Sequence, residues 1–218
     1  MAIFLEKQDV AYFSVPKCAC STLKRLFFQL ENDFPFRMYR TNGELVHIHT
    51  VYPTHRMSRQ ARRRAEGMFK FAVVRDPVSR ILSCYRNRVV YRKELSAKHI
   101  QGVKRLAGLP PDPDLSTFVK NLERYRMISR PIAHHSQNLS YFLGNTPDWF
   151  DKIYDIRKVD DLMQDLRERV GELPEVERSQ MGGPKVSIAD LSEQEIAKIR
   201  KMYAEDYKLF GKYFEDPA

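Results

Sequence analysis

The sequence predicts an α/β fold, a three-layer α/β/α arrangement with a mostly parallel central sheet, in a single domain over residues 1–218. Two runs of strand length, the apolar Val10 to Val15 and Phe69 to Val74, apolar but for Lys70, each lead into a proline-bearing turn and then a stretch with helical period. A third run, Trp149 to Ile156, also precedes an amphipathic segment. Strands alternating with helices build a sheet covered by helices, with ligands at the carboxyl ends of the strands. At 218 residues and 43% hydrophobic, the chain can bury one proper core and is short for two.

The first strand, Val10-Ala11-Tyr12-Phe13-Ser14-Val15, carries no charge and stops at Pro16-Lys17-Cys18-Ala19-Cys20-Ser21-Thr22. Beyond that turn Leu23, Leu26, Phe27 and Leu30 recur at i, i+3, i+4 and i+7, the period of a helix packing on a sheet. A strand feeding a helix through a Lys/Ser/Thr-bearing turn offers backbone N–H groups and the positive end of the helix dipole to an anion. It is not the Walker A sequence, which needs two glycines and a terminal Lys-Ser/Thr pair. Here the lysine precedes the turn.

Phe34 to Tyr39 reads as a short strand or turn. In Glu44 to Thr50, Val46 and Ile48 alternate with His47 and His49, so a strand would put both imidazoles on one face. The other reading is a polar strand edge with incidental histidines. Met57 to Glu66 is helical, and Arg56, Arg59, Arg62, Arg63 and Arg64 form either a solvated face or a rim that attracts an acidic partner.

After Phe69 to Val74 the chain continues Arg75-Asp76-Pro77-Val78-Ser79-Arg80-Ile81-Leu82-Ser83. Pro77 suits the first turn of a helix, whose buried stripe is Val78, Ile81, Leu82, Tyr85 and Val89. Arg75 at the strand end, with Arg80 and Ser83 on the helix, predicts a pocket for a phosphate monoester beside a helix N-terminus.

Tyr91 to Leu106 reads as a basic helix, residues 108–114 as a Pro-rich break, and Leu115 to Arg126 as a short helix burying Phe118, Val119 and Leu122. The strand ending at Ile156 leads to a helix with Val159, Leu162, Met163, Leu166 and Val170 inward. Residues 177–185 form a Gly-Pro stretch, and Ser192-Glu193-Gln194-Glu195 is a capping box opening the last helix.

The net charge of +9 points to an anionic partner. Cys18, Cys20 and Cys84 form no CxxC pair, so neither a disulfide framework nor a zinc site is indicated, and no cluster of carboxylates is arranged for a metal. No apolar run reaches the roughly 18 to 20 residues that span a bilayer, and the start of the chain has no signal-like stretch. The expectation is a soluble, cytoplasmic protein without a membrane anchor, or a piece cut free of one.

The order Pro16-Lys17-Cys18-x-Cys20-Ser21-Thr22-Leu23-Lys24 resembles the P-K-C-x-C-[ST]-[ST]-L-K loop of carbohydrate sulfotransferases that use 3′-phosphoadenosine 5′-phosphosulfate, PAPS. R-D-P-x-x-R-x-x-S with Cys84-Tyr85-Arg86-Asn87 resembles the 3′-phosphate segment of the same enzymes, and Tyr203 to Gly211 their terminal Y-x-x-D-Y-x-x-F-G. The resemblance extends to chondroitin/dermatan 4-O- and uronyl 2-O-sulfotransferases. It covers nearly the whole chain and is weak between Tyr91 and Arg130. The chain departs from the family in having Asp155-Ile156-Arg157 for a Phe-Glu pair and Ser179-Gln180-Met181 where Asn is frequent.

The resemblance implies a P-loop-like sulfotransferase fold and sulfuryl transfer from PAPS to a hydroxyl of a carbohydrate, glycan or other anionic acceptor, leaving adenosine 3′,5′-bisphosphate (PAP). It implies Lys17, Cys18, Ala19, Cys20, Ser21 and Thr22 on the 5′-phosphosulfate, Arg75 and Ser83 on the 3′-phosphate, and no metal. His49 is the first choice for general base and His47 the second, since uronyl 2-O-sulfotransferases are similar in a paired H-x-H; Lys17 stabilises the leaving phosphate. His135, Arg80 and Arg86 are acceptor candidates; His135 is also the reserve candidate for the base, with a polar loop as its other reading. Two alternatives stand beside this: a P-loop-like nucleotide kinase, which needs Mg²⁺ ligands and a Walker lysine, and a basic nucleic-acid-binding protein, which leaves both anion motifs without a reason.

Overall fold

The computed structural model describes residues 2–100, 108–176 and 185–215. The chain groups into two compact units, one from Met1–Val74, Leu139–Ser179 and Lys212–Phe214, the other from Arg75–Asn138, Gln180–Gly211 and Glu215–Ala218.

The first unit holds a four-stranded sheet. Its strands are β1 (Ala2–Leu5), β2 (Val10–Phe13), β5 (Phe69–Val74) and β6 (Lys152–Asp155), in the order β1-β2-β5-β6. β2 pairs parallel to β5 with Val10 opposite Phe69, and β5 parallel to β6 with Phe71 opposite Lys152. Every β2 residue is buried, as expected for a strand enclosed on both faces. The sheet is flanked by helices, among them α1 (Cys20–Asn32) and the helix Val159–Val170. β1 lies antiparallel at the edge, joined to β2 by a hairpin through Glu6–Gln8 and a left-handed Asp9 (φ 53°). β1 is a strand beyond those expected from the sequence. Yet Ala-Ile-Phe-Leu before a polar turn and a second apolar run is a hairpin signal.

Aromatic rings tie α1 to the sheet. Phe27 lies 5.5 Å from Tyr12 of β2 and 5.9 Å from Phe71 of β5, and Tyr12 stacks on Phe71 at 5.1 Å. Such pairs contribute about 0.5–1.5 kcal/mol each beyond the area they bury. They also hold the N-terminus of α1, and so the turn before it, at the end of β2.

A small hairpin, β3 (Tyr39–Thr41) and β4 (Glu44–Val46), follows α1. The expected strand through Thr50 is corrected here: β4 stops at Val46, His47 becomes an N-cap, and Ile48–Val51 forms α2. The side chain of His47 accepts from the His49 backbone N–H while Thr50 closes the capping box. Local side-chain capping thus overrides the two-residue alternation. In α3 (Arg59–Arg64), Arg62 lies over the Trp149 ring and Arg64 over Phe4, paired with Glu6, so part of the arginine run is packing. Arg59 and Arg63 remain exposed.

The described secondary structure of the second unit is helical. α4 (Pro77–Cys84) continues into a π-helical segment, Tyr85–Tyr91, and the expected stripe Val78, Ile81, Leu82, Tyr85 and Val89 is buried. It packs in one core with Phe118, Leu122, Tyr125, Ile132, Ile199 and Tyr203. Two expectations are corrected. The basic helix from Tyr91 is interrupted, because Lys93 turns left-handed (φ 56°) and a new helical turn begins at 97–100, with 101–107 outside the described residues. Leu115 to Arg126 is two helices, Leu115–Lys120 and Leu122–Ile128, parted at Asn121. The capping box forms as expected and opens Glu193–Met202; of the Gly-Pro stretch, 177–184 lie outside the described residues. No helix among the described residues is long and apolar enough to cross a membrane.

Candidate active site

In the first unit the turn between β2 and α1 is built by backbone. Val15 O accepts from Cys18 N–H at 3.3 Å, with Pro16 second and a left-handed Lys17 (φ 69°) third, the arrangement of a type II turn. Ala19 is left-handed as well (φ 56°), which costs a non-glycine residue about 1–2 kcal/mol. Two such residues within three positions concentrate backbone strain in this turn. Ala19 is also the N-cap of α1, and having no polar side chain it caps nothing. No acidic residue occupies the first turn either, so the amides of Cys20, Ser21 and Thr22 and the helix dipole are offered to an anion. Cys18 and Cys20 are buried, Ser21 and Thr22 half-buried, and Lys17 only 9% exposed.

A polar network joins this turn to α2. Ser21 Oγ lies 2.8 Å from His49 Nε2, and Lys24 Nζ lies 3.2 Å from His49 Nδ1. Lys24 also donates to Thr54 Oγ1 at 2.7 Å, and Thr54 Oγ1 lies 2.9 Å from Ser14 Oγ at the end of β2. Ser21 and Lys24, three residues apart on α1, share one face. Lys24 is fully buried, and burial lowers its pKa to about 8 even though Cys20 opposes the shift. His47 lies beside His49, ring centroids 5.9 Å apart, with its Nδ1 taken up by the His49 N–H at 3.1 Å. The structure therefore brings Ser21 and His49 together, with His47 behind them. Sequence reasoning gave no role to Ser14, Lys24 or Thr54. A lysine among Leu23, Leu26 and Phe27, on the buried stripe of a helix, was the available signal.

In the second unit Arg75 is half-buried and Ser83 buried, on the strand-following residue and on α4. The N-terminus of α4 is capped by Asp76, which accepts from Ser79 N–H at 2.9 Å and from the Tyr207 hydroxyl at 2.7 Å. Burial, then this bond, pushes the Tyr207 hydroxyl pKa up. An anion there has to rely on side chains. Arg80, the acceptor candidate on α4, is fully buried; it donates to the Gln137 carbonyl and lies 5.6 Å from the Tyr203 ring centre. His135 ends the helix Arg130–His135. Its Nδ1 meets the Pro131 carbonyl at 2.8 Å and its Nε2 meets Arg88 Nη2 at 2.6 Å. A carbonyl only accepts and a guanidinium only donates, so Nδ1 carries the proton and the Nε2 lone pair is occupied. Arg86 is half-buried on the π-helical segment. Among the described residues no group of three His, Cys, Asp or Glu is placed to hold a metal ion.

A family model described as "Sulfotransferase family" matches residues 1–213. The chain is similar to carbohydrate sulfotransferase 14 of Mus musculus, 33% identical over 128 residues, and to carbohydrate sulfotransferase 14 of Homo sapiens, 32% identical over 129. Each alignment covers 55% of this chain and 32% of the relative, so the match spans about a third of the relatives' length. No solved structure matches.

Proposed function

The chain belongs to the sulfotransferase family, and from that premise we propose that it moves a sulfuryl group from PAPS to a hydroxyl of a carbohydrate acceptor, with His49 as general base. The observation that carries the assignment is the 2.8 Å contact between His49 Nε2 and Ser21 Oγ, which sets an imidazole against the turn that suits the 5′-phosphosulfate. The uncapped start of α1 and the two left-handed residues fit that group. Arg75 and Ser83 hold the 3′-phosphate in this reading. PAPS supplies an activated sulfuryl group. The acceptor oxygen bonds to sulfur as the bond from sulfur to the bridging 5′-phosphate oxygen breaks, the acceptor proton goes to His49, and PAP leaves.

The protein's contribution is positioning and charge stabilisation, as in phosphoryl transfer. Lys17 and the amides of Cys20 to Thr22 face the negative charge that grows on the departing phosphate. The similarity to carbohydrate sulfotransferase 14 and the exposed Arg59 and Arg63 support an acidic glycan as acceptor.

Binding of the product nucleotide tests the reading cheaply. PAP at about 100 times its Kd stabilises by about 2.7 kcal/mol, or roughly 5–10 °C in Tm for a chain of this size. ATP with Mg²⁺ and duplex DNA are expected to give much smaller shifts, and an equal or larger shift with either would favour the kinase or nucleic-acid alternative. Arg75→Ala is expected to weaken PAP by about 1.5–3 kcal/mol, the worth of a hydrogen bond to a charged group, and Ser83→Ala by about 1 kcal/mol. Titration calorimetry reads both, and unchanged affinity in Arg75→Ala removes the 3′-phosphate assignment.

A further inference from the structure

Lys24 is a buried cation with an unusual set of partners. It is fully buried, and its contacts are the His49 imidazole and the Thr54 hydroxyl; among the described residues it forms no ion pair with a carboxylate. An ammonium group has three donors and no acceptor. While Lys24 is charged, the His49 Nδ1 that faces it at 3.2 Å has to accept. A neutral imidazole then carries its proton on Nε2, which donates to Ser21 Oγ at 2.8 Å. In that tautomer the nitrogen facing the turn has no lone pair with which to take a proton. When Lys24 loses its proton, the amine can accept from Nδ1–H, and the lone pair moves to Nε2.

We propose that Lys24 is the positioning residue that selects the tautomer of His49, holding its proton on Nε2 as an ammonium and releasing the Nε2 lone pair as an amine. The inference rests on the reading of His49 as general base. Desolvation of Lys24, which brings its pKa to about 8, puts the exchange within reach of ordinary solution conditions. The other titratable groups around the pair are Cys20 on α1, which favours the charged lysine, His47 at 5.9 Å, and His55. The pKa of His55 is lowered, first by burial, with the Lys24 charge contributing. The hydroxyls of Ser14, Ser21 and Thr54 belong to the same network and do not titrate in this range.

The test is ¹⁵N-histidine NMR of the whole chain, in which long-range couplings distinguish the two tautomers. Once His49 is neutral, its signals are expected to report the Nε2–H form near pH 7 and to move toward the Nδ1–H form as pH rises through about 8. In Lys24→Met, which removes the buried charge without adding bulk, that second transition is expected to vanish. A single tautomer throughout in the wild type, or the same transition in Lys24→Met, overturns the proposal without any appeal to activity. Rates give the second readout. The wild-type acceptor kcat/KM is expected to rise through about pH 8, the Lys24→Met rise to fall back to the ordinary histidine range of about 6–7, and Lys24→Arg to stay slow at every pH because arginine does not deprotonate. An identical ascending limb in wild type and Lys24→Met counts against the tautomer role. Activity surviving in His49→Ala would instead remove the base assignment, while the NMR transition would still decide what Lys24 does.

Discussion

Lys17→Ala is expected to lower turnover by about 10²- to 10³-fold, the usual cost of removing one preorganised donor from developing charge. Its affinity for PAP should fall by less than about tenfold, because the negative charge on the bridging oxygen is fully developed only near the transition state. The backbone accounts for the position of this lysine. Pro16 fixes the second place of the turn, the left-handed Lys17 (φ 69°) the third, and the side chain is 9% exposed rather than trailing in solvent. Single-turnover rates with saturating PAPS, set beside titration calorimetry with PAP, separate the two effects. Equal losses in rate and affinity would reduce Lys17 to a nucleotide anchor. Gly at this position would relax the left-handed strain and remove the same amine, so Lys17→Gly should match Lys17→Ala in rate while being no less stable.

The parts of this fold that were legible in the sequence are those where one physical signal dominates. Val10 to Phe13 and Phe69 to Val74, apolar but for Lys70, are runs with strand-sized lengths, and they form β2 and β5 in parallel register. The Ser192 to Glu195 capping box and the buried stripe of α4 follow from local chemistry and period. The stretch around His47 offers two competing signals. Alternation favours a strand, but an imidazole can also cap a helix, and Thr50 completes the cap. His47 and His49 are neighbours in either conformation, because capping also places the two rings 5.9 Å apart. Arg80 shows the opposite limit. Its spacing from Ser83 is visible in the sequence, but not that the guanidinium is buried on the Gln137 carbonyl and the Tyr203 ring, contacts made 57 and 123 residues away (137−80 and 203−80). Lys24 was hidden for a related reason: a charged residue on a buried stripe tells that something polar meets it, but not that the partner is His49.

Removal of His49 should have the largest effect on chemistry with the least on nucleotide binding. His49→Ala is expected to slow sulfuryl transfer by about 10²- to 10⁴-fold, the usual loss of a general base, with PAP affinity unchanged within about twofold, because in the proposed mechanism the imidazole serves the acceptor hydroxyl rather than the nucleotide. His47→Ala should differ in kind. His47 caps α2, and losing a cap costs about 0.5–2 kcal/mol, so a lower Tm with a smaller rate effect is expected, arising from a less firmly held His49. His135→Ala breaks bonds to Arg88 and Pro131 and should act on stability, since its Nε2 lone pair is already engaged. Comparing kcat, PAP affinity and Tm across the three variants distinguishes these roles. Retained activity in His49→Ala with loss in His47→Ala or His135→Ala would mean that another imidazole takes the proton. Activity retained in all three would sink a histidine base altogether, and the search would then turn to carboxylates.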